Sequence, residues 1–228
     1  MLAFRLNNKS PIFRRNNRRK EAFAFFLVVF LLSACGVKRV AVEDNFPTPV
    51  LTQHPQHVGL YLDETFRSYT HSEELPSGGD WSIDLGAANA ALFQQLVKGM
   101  FRQVTLVQSA QNNAGLDAVI KPEIEEYQFS TPNQNQTDFF EAWFKYRIHF
   151  YDAQGKELGN WPLTAYGRSE AKFLDAKESL QDATQIAMRD AATAMVLEFD
   201  QHPAVRAFLY AVEPKPAAVS AQEGQGAS

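Results

Sequence analysis

The chain has 228 residues, 45% of them hydrophobic, with 22 Lys+Arg against 26 Asp+Glu and a single cysteine. That length suits one domain with tails, and one cysteine excludes an intrachain disulfide framework. The charge is unevenly spread: the first 34 residues hold seven bases and one acid, so the remaining 194 keep 15 Lys+Arg against 25 Asp+Glu, a formal charge of −10. A body this acidic excludes nucleic acid and anionic lipid headgroups as its main partners.

The N-terminus reads as an export signal. Arg5, Lys9, Arg14, Arg15, Arg18, Arg19 and Lys20 precede an uncharged run, AFAFFLVVFLL, over Ala22–Leu32. Basic end, short apolar core and small residues are the three parts of a secretory signal. The core is too short for a permanent span, which needs about 20 apolar residues. The paired arginines at 14–15 and 18–19 lack the apolar residues that follow a twin-arginine motif, so the general secretory route is expected. Leu32-Ser33-Ala34-Cys35 then resembles the lipobox of bacterial lipoproteins. The resemblance implies cleavage between Ala34 and Cys35, a diacylglyceryl group on the Cys35 thiol, and acylation of the new amino terminus. Two or three acyl chains make a stable membrane anchor where one is marginal. In such families an aspartate after the cysteine retains the protein in the inner membrane. Here that residue is Gly36, which favours the outer membrane with the body in the periplasm.

After the cysteine, residues 35–56 read as a tether, because Pro47, Pro49 and Pro55 interrupt regular structure. A strand is expected at Val58–Leu62, followed by a Ser-, Gly- and Pro-rich loop through Gly79. The spacing of Leu85, Ala88, Leu92 and Leu96 predicts a helix over about 85–102. Val104–Val107 reads as a short strand. Ala118–Phe129 reads as another, in which Ile120 and Ile124 keep one phase while Tyr127 and Phe129 take the other. A β-bulge near Glu125 reconciles them, and Pro122 marks an edge or that irregularity. Ala142–Tyr151 alternates throughout, with Phe144, Tyr146, Ile148 and Phe150 on one side. Asp152-Ala153-Gln154-Gly155 is a turn into a strand over 157–167. An alanine-rich stripe, Leu180, Ala183, Ala187, Ala191, Ala194 and Met195, predicts a helix over 176–200 lying close to the sheet. Pro203 breaks it, and Ala204–Tyr210 forms a last helical turn. The expected architecture is α+β: a mixed or antiparallel sheet of four or five strands with two main helices on one face, in the order β-α-β-β-β-β-α. The globular part spans 57–210, and 211–228 reads as a disordered tail.

This element order behind a lipobox resembles a group of bacterial periplasmic lipoproteins. The group includes lipopolysaccharide-assembly lipoprotein E, penicillin-binding-protein activator lipoprotein B and domains of the curli secretion lipoprotein. The N-terminal domain of the Tol-system β-propeller protein is a non-lipidated relative in fold. The matching stretches are VGLYLD, LFQQLVKGMF, VTLV, LDAVIKPEIEEY and YRIHFYDAQGKEL. The resemblance implies an α+β sandwich, an assembly or regulatory role, and no catalytic residue.

The residues themselves point the same way. His54-x-x-His57 has metal-ligand spacing, but Pro55 intervenes in the tether, and no metal is expected. Asp63, Glu64, Glu73, Glu74 and Asp80 cluster around the first loop without EF-hand spacing. Glu123 and Glu125 share a strand face, which an exposed sheet explains without acid–base chemistry. No nucleophile elbow or phosphate-binding glycine loop is present, and no cofactor is expected. The aromatic residues around the hairpin leave two readings. They pack beneath the second helix or a loop, or they form a partner surface, for which Trp143, Arg147, Tyr151 and Trp161 are the candidates. The polar loop 130–138 is a second candidate contact.

The expectation is a lipid-anchored, non-enzymatic accessory or scaffold subunit of an envelope assembly, transport or secretion system. Its partners would be the membrane, through Cys35, and an envelope protein. The alternative is a module that holds a lipid or small amphiphile between sheet and helices. A continuous apolar cavity there favours the alternative, and a filled core with exposed aromatics favours the scaffold.

Overall fold

The computed structural model describes residues 36–76, 78–172 and 175–212. Ala34, Cys35 and residues 213–228 lie outside them. In chain order the elements are β1 (Lys38–Ala41), β2 (His54–Tyr61), α1 (Glu64–Arg67), β3 (Thr70–Leu75), β4 (Gly79–Asp84), α2 (Gly86–Met100), β5 (Phe101–Val107), β6 (Ala118–Ser130), α3 (Pro132–Asn135), β7 (Phe139–Asp152), β8 (Glu157–Glu170), α4 (Ala176–Glu198), a 3-10 turn (Phe199–Gln201) and α5 (Pro203–Val212).

The main sheet is mixed and five-stranded, in the order β5-β2-β6-β7-β8. β2 runs parallel to both β5 and β6, with α2 as the crossover between β2 and β5. β6, β7 and β8 form an antiparallel meander. This is the α+β architecture that the periodicity predicts. Each half of the meander follows from local sequence. Gly155 has φ +89° and closes the β7–β8 turn, where the Asp152 carboxylate accepts the N–H groups of Gln154 and Lys156 at 3.0 and 2.8 Å. The register of β6 shifts between Ile124 and Glu126, at the expected bulge. Pro122 lies beyond the last β2–β6 pair, Leu60 with Ile120, so its missing N–H costs no bond on that side.

Strand alternation puts Phe144, Tyr146, Ile148 and Phe150 of β7 and Trp161, Leu163 and Ala165 of β8 into the core. Rings fill the space above them. Phe93 of α2 meets Tyr146 edge-on, and Phe150 meets Phe199 and Phe208 the same way. Each such pair adds about 0.5–1.5 kcal/mol beyond the burial of its area. The buried hydroxyls are matched as well: Tyr146 donates to Asn89 Oδ1 at 2.6 Å, and Tyr127 bonds Thr184 at 2.8 Å. α4 lies against β8 as its alanine stripe requires. A Cβ on Gly167 would come within 2.2 Å of the Ala183 carbonyl oxygen, so only glycine lets the helix approach so closely.

Two segments differ from expectation. The tether is not a leash throughout: Lys38–Ala41 pairs in parallel with Trp81–Asp84, and Val40, Val42 and Phe46 are buried. The alternation of Val40 and Val42 is real but too short to stand out beside three prolines. The globular body therefore begins before residue 57. The Ser-, Gly- and Pro-rich loop contains α1 and the β3–β4 hairpin, which seats Leu75, Trp81 and Ile83 in the core. With β1 it forms a second, three-stranded sheet, β1-β4-β3. Trp81 joins this sheet to the first by packing on Phe129 and Phe140. The loop 130–138 is held by its own polar groups: the Thr131 N–H donates to Gln134 Oε1 at 2.9 Å, and Asn135 Nδ2 donates to the Phe139 carbonyl at 3.1 Å. Among the described residues no helix is long and apolar enough to cross a membrane.

Candidate functional site

The helices cover one face of the main sheet. The other face of β6–β8 is open, and the side chains pointing outward from β7 are Trp143, Lys145, Arg147, His149 and Tyr151. Most of this face is a ladder of ion pairs. The Arg147 Nε–H donates to Glu125 Oε1, Lys145 reaches Glu125 Oε2 at 3.0 Å, and Arg147 Nη1 donates to Asn160 at 2.9 Å. His149 lies between Glu123 at 3.3 Å and Glu157 at 3.0 Å. The Arg147 hydrogen bond, then that of Lys145, holds the Glu125 carboxyl below its ordinary range. The hydrogen bond from His149 does the same for Glu157. The glutamates that invite an acid–base reading are therefore partners in a charge ladder. Tyr151 stacks on the His149 ring at 6.1 Å and completes the row.

At the other end the ladder gives way to two rings. Trp143 and Tyr166 are directly opposite across the β7–β8 pair, with centroids 5.4 Å apart. They remain 36% and 38% exposed. Tyr166 is fixed at both ends. Its backbone N–H, on an edge strand with no further neighbour, donates to Asp190 of α4 at 3.0 Å, which blunts that edge. Its hydroxyl donates to Glu141 Oε1 at 2.7 Å. Glu141 also accepts from Ser130 and Asn135, both at 2.9 Å, so the 130–138 loop fixes the ring indirectly. The Tyr166 bond, reinforced by Asn135 and Ser130, holds the Glu141 carboxyl low, and Glu141 in turn raises the Tyr166 phenol. Beside the rings is a shallow groove of about 450 Å³, lined by Gln128, Trp143, Lys145, Thr164, Tyr166 and Asp190.

Of the residues proposed from sequence, Trp143, Arg147 and Tyr151 share this open face. Trp161 does not. It is 7% exposed on the core side, stacked on His202 at 4.2 Å and packed on Phe199. The physical reason is phase: Trp161, Leu163 and Ala165 alternate inward along β8. Tyr166 was missed because its place opposite Trp143 depends on the hairpin register. His54 and His57 do not converge, since His54 meets Asp200 at 2.9 Å and His57 meets Thr105 at 2.8 Å. Among the described residues no cluster of three or more His, Cys, Asp or Glu could hold a metal.

The sequence matches no protein-family model and no curated protein. Among solved structures, a Xanthomonas campestris protein of the DUF330 family is similar, with 11% identity and a TM-score of 0.43 over 70% of this chain and 90% of that one. The CT253 protein from Chlamydia trachomatis has 12% identity and a TM-score of 0.42, covering 64% and 96%. A minor lipoprotein from Acinetobacter baumannii has 14% identity and a TM-score of 0.36, covering 67% and 92%. At such scores the likeness extends to no residue role, and the open sheet face rests on its own geometry.

Proposed function

We propose that this chain is a bacterial envelope lipoprotein, held on the periplasmic side of the outer membrane by lipid on Cys35. In this reading it acts without catalysis, as an accessory or scaffold subunit that docks a protein of an envelope assembly, transport or secretion system. The observation that carries the docking role is the Trp143–Tyr166 pair. Two partly exposed rings pack on one another, with Tyr166 fixed by its hydrogen bond to Glu141, on a face whose ladder charges satisfy one another. Aromatic anchors of this kind lose little conformational freedom on binding and concentrate binding energy. The anchoring role rests on the lipobox and on the acidic body, whose formal charge of −10 does not favour anionic headgroups.

The test is a crosslinking capture from envelope fractions with three chains: the parent, a Trp143→Ala/Tyr166→Ala double variant, and Cys35→Ala. The double variant is expected to lose the captured envelope protein while keeping its melting temperature. Cys35→Ala is expected to remain unprocessed by the lipoprotein peptidase. Undiminished capture by the double variant overturns the docking role, and normal maturation of Cys35→Ala overturns the anchor.

A second reading, binding of a lipid or small amphiphile, is supported by one feature. A groove of about 280 Å³ between α2 and α4 is lined by apolar side chains that include Phe46, Pro49, Leu92, Leu96, Val196 and Leu197. It lies outside the helices, whereas the space between helices and sheet is filled with rings, which favours the docking role. Binding of a fluorescent fatty acid that Leu96→Trp abolishes would support this second reading.

A further inference from the structure

The groove beside Trp143 and Tyr166 carries charge as well as rings. Gln128, Trp143 and Tyr166 form one row across β6, β7 and β8, and Glu126, Lys145 and Thr164 form the next row along the same face. Glu126 stands opposite Lys145, which makes it a diagonal neighbour of Trp143. Diagonal neighbours are about 7–8 Å apart, within the span of one long side chain. Asp190 lies at the far side, where its Oδ2 accepts the Tyr166 N–H at 3.0 Å. Between the two carboxylates are the ring centroids, 5.4 Å apart, with planes tilted by 42°.

Among the described residues neither carboxylate forms an ion pair. Glu126 accepts the side-chain amide of Gln128 at 2.6 Å, and Asp190 accepts the Tyr166 backbone, so both partners are neutral donors. Lys145 is the one cation of the lining, and Glu125 already holds it at 3.0 Å. The groove therefore sets two partly exposed rings beside two carboxylates that no cation answers, on a body of formal charge −10.

We propose that this groove takes arginine side chains from an extended basic segment of the docked protein, an inference that rests on docking at the Trp143–Tyr166 face. A guanidinium is planar. Its face stacks on an aromatic ring while its N–H groups donate in plane to a carboxylate. An arginine over Trp143 reaches Glu126, and one over Tyr166 reaches Asp190. An anionic segment would meet both carboxylates with like charge, and an apolar one would strip them of water without replacing its hydrogen bonds. In an extended segment alternate side chains share a face at a spacing of about 6.4–6.8 Å. That is close to the separation of the rings, so Arg-x-Arg is the matching pattern.

The test is isothermal titration calorimetry of the full chain in detergent with acetyl-Ala-Arg-Ala-Arg-Ala-amide and with analogues carrying citrulline or lysine at both arginine positions. The arginine peptide is expected to bind. Citrulline keeps the planar shape and loses the charge, so it should bind at least about tenfold more weakly. Lysine keeps the charge and loses the plane, so it should also bind more weakly than arginine. Trp143→Ala/Tyr166→Ala should abolish binding. Glu126→Gln/Asp190→Asn should weaken it at least about tenfold at unchanged melting temperature, because each amide oxygen can still accept the internal N–H. Asp80→Asn/Glu198→Gln removes the same charge from exposed positions elsewhere and should leave binding unchanged. Absence of heat with the arginine peptide up to about 10 mM overturns the proposal. So does equal binding of either analogue, or equal loss from the two charge-removing pairs. If the peptide fails while envelope capture still depends on Trp143 and Tyr166, the arginine preference falls and the docking role stands; if capture is undiminished as well, both fall.

Discussion

Gly167→Ala tests the packing that leaves one sheet face open. The added Cβ would be 2.2 Å from the Ala183 carbonyl oxygen, 2.3 Å from the Ala187 nitrogen and 2.9 Å from the Ile186 carbonyl carbon. Ordinary contact begins near 3.4 Å, so α4 must retreat by about 1 Å, well beyond the well of its dispersion contacts. All three atoms are helix backbone and have no rotamer through which to escape. The retreat also loosens Ala183, Ala187 and Ala191, which are fully buried against the sheet. One extra methyl group in a packed core costs about 1–3 kcal/mol, and the rigidity of the groups met here places the cost near 3 kcal/mol. For a domain of this length that is a fall of about 6–12 °C in melting temperature. The assay is thermal unfolding followed by far-UV circular dichroism, with Gly36→Ala as the control, because a Cβ at Gly36 meets nothing within 4 Å. A Gly167→Ala melt within about 2 °C of the parent would show that α4 is not seated on β8 in this way.

Two further predictions concern polar groups. Tyr146→Phe strands the Oδ1 of fully buried Asn89 and should cost about 1–3 kcal/mol, read as a lower urea midpoint at unchanged slope; an unchanged midpoint contradicts the pairing. Asp63 accepts the Phe66 N–H at 2.8 Å and pairs with Lys121 at 3.1 Å; burial opposes its ionisation, but these two bonds prevail and hold its carboxyl below the ordinary value. A depressed folded pKa gives stability that is present above the unfolded value, about 3.9, and lost as the pH falls through the folded one. The difference in urea midpoint between parent and Asp63→Asn should therefore shrink below about pH 4, and a difference constant down to pH 2 contradicts the assignment.

What could be read from the sequence depended on how many residues carried the pattern. β7 was legible because its alternation runs the length of the strand, and the bulge in β6 because Ile120 and Ile124 keep one phase while Tyr127 and Phe129 keep the other. The position of α4 was legible from composition, since a stripe of alanines makes a thin face. The short strands were not: β1 has four residues, and β3 carries His71, Ser72, Glu73 and Glu74, whose polarity reads as loop. They become strands through pairing with β4, a tertiary effect that propensity does not register. Trp161 shows two signals in conflict: it belongs to the aromatic cluster of the hairpin, but it shares its phase with Leu163 and Ala165, and the phase decides its inward position. The partner of Trp143 could not be known without the register, which rests on the turn at Gly155.

The arrangement of the open face bears on where a partner would gain energy. The ladder through Glu125, Arg147, His149 and Glu157 is already paired within the sheet, and exposed ion pairs are worth about 0–1 kcal/mol each. A partner that competes for those charges must first break bonds of similar worth, so the ladder yields little affinity and acts to reject mismatched charge. The Trp143–Tyr166 end is different. Tyr166 is held by Glu141, Trp143 packs against its ring, and both leave apolar surface uncovered, so covering them requires no internal bond to break. Docking on this face should therefore draw its affinity from the rings and its register from the ladder. Loss of Trp143 and Tyr166 should consequently remove far more binding than neutralising Arg147. The reverse order of effects would place the contact elsewhere on the molecule.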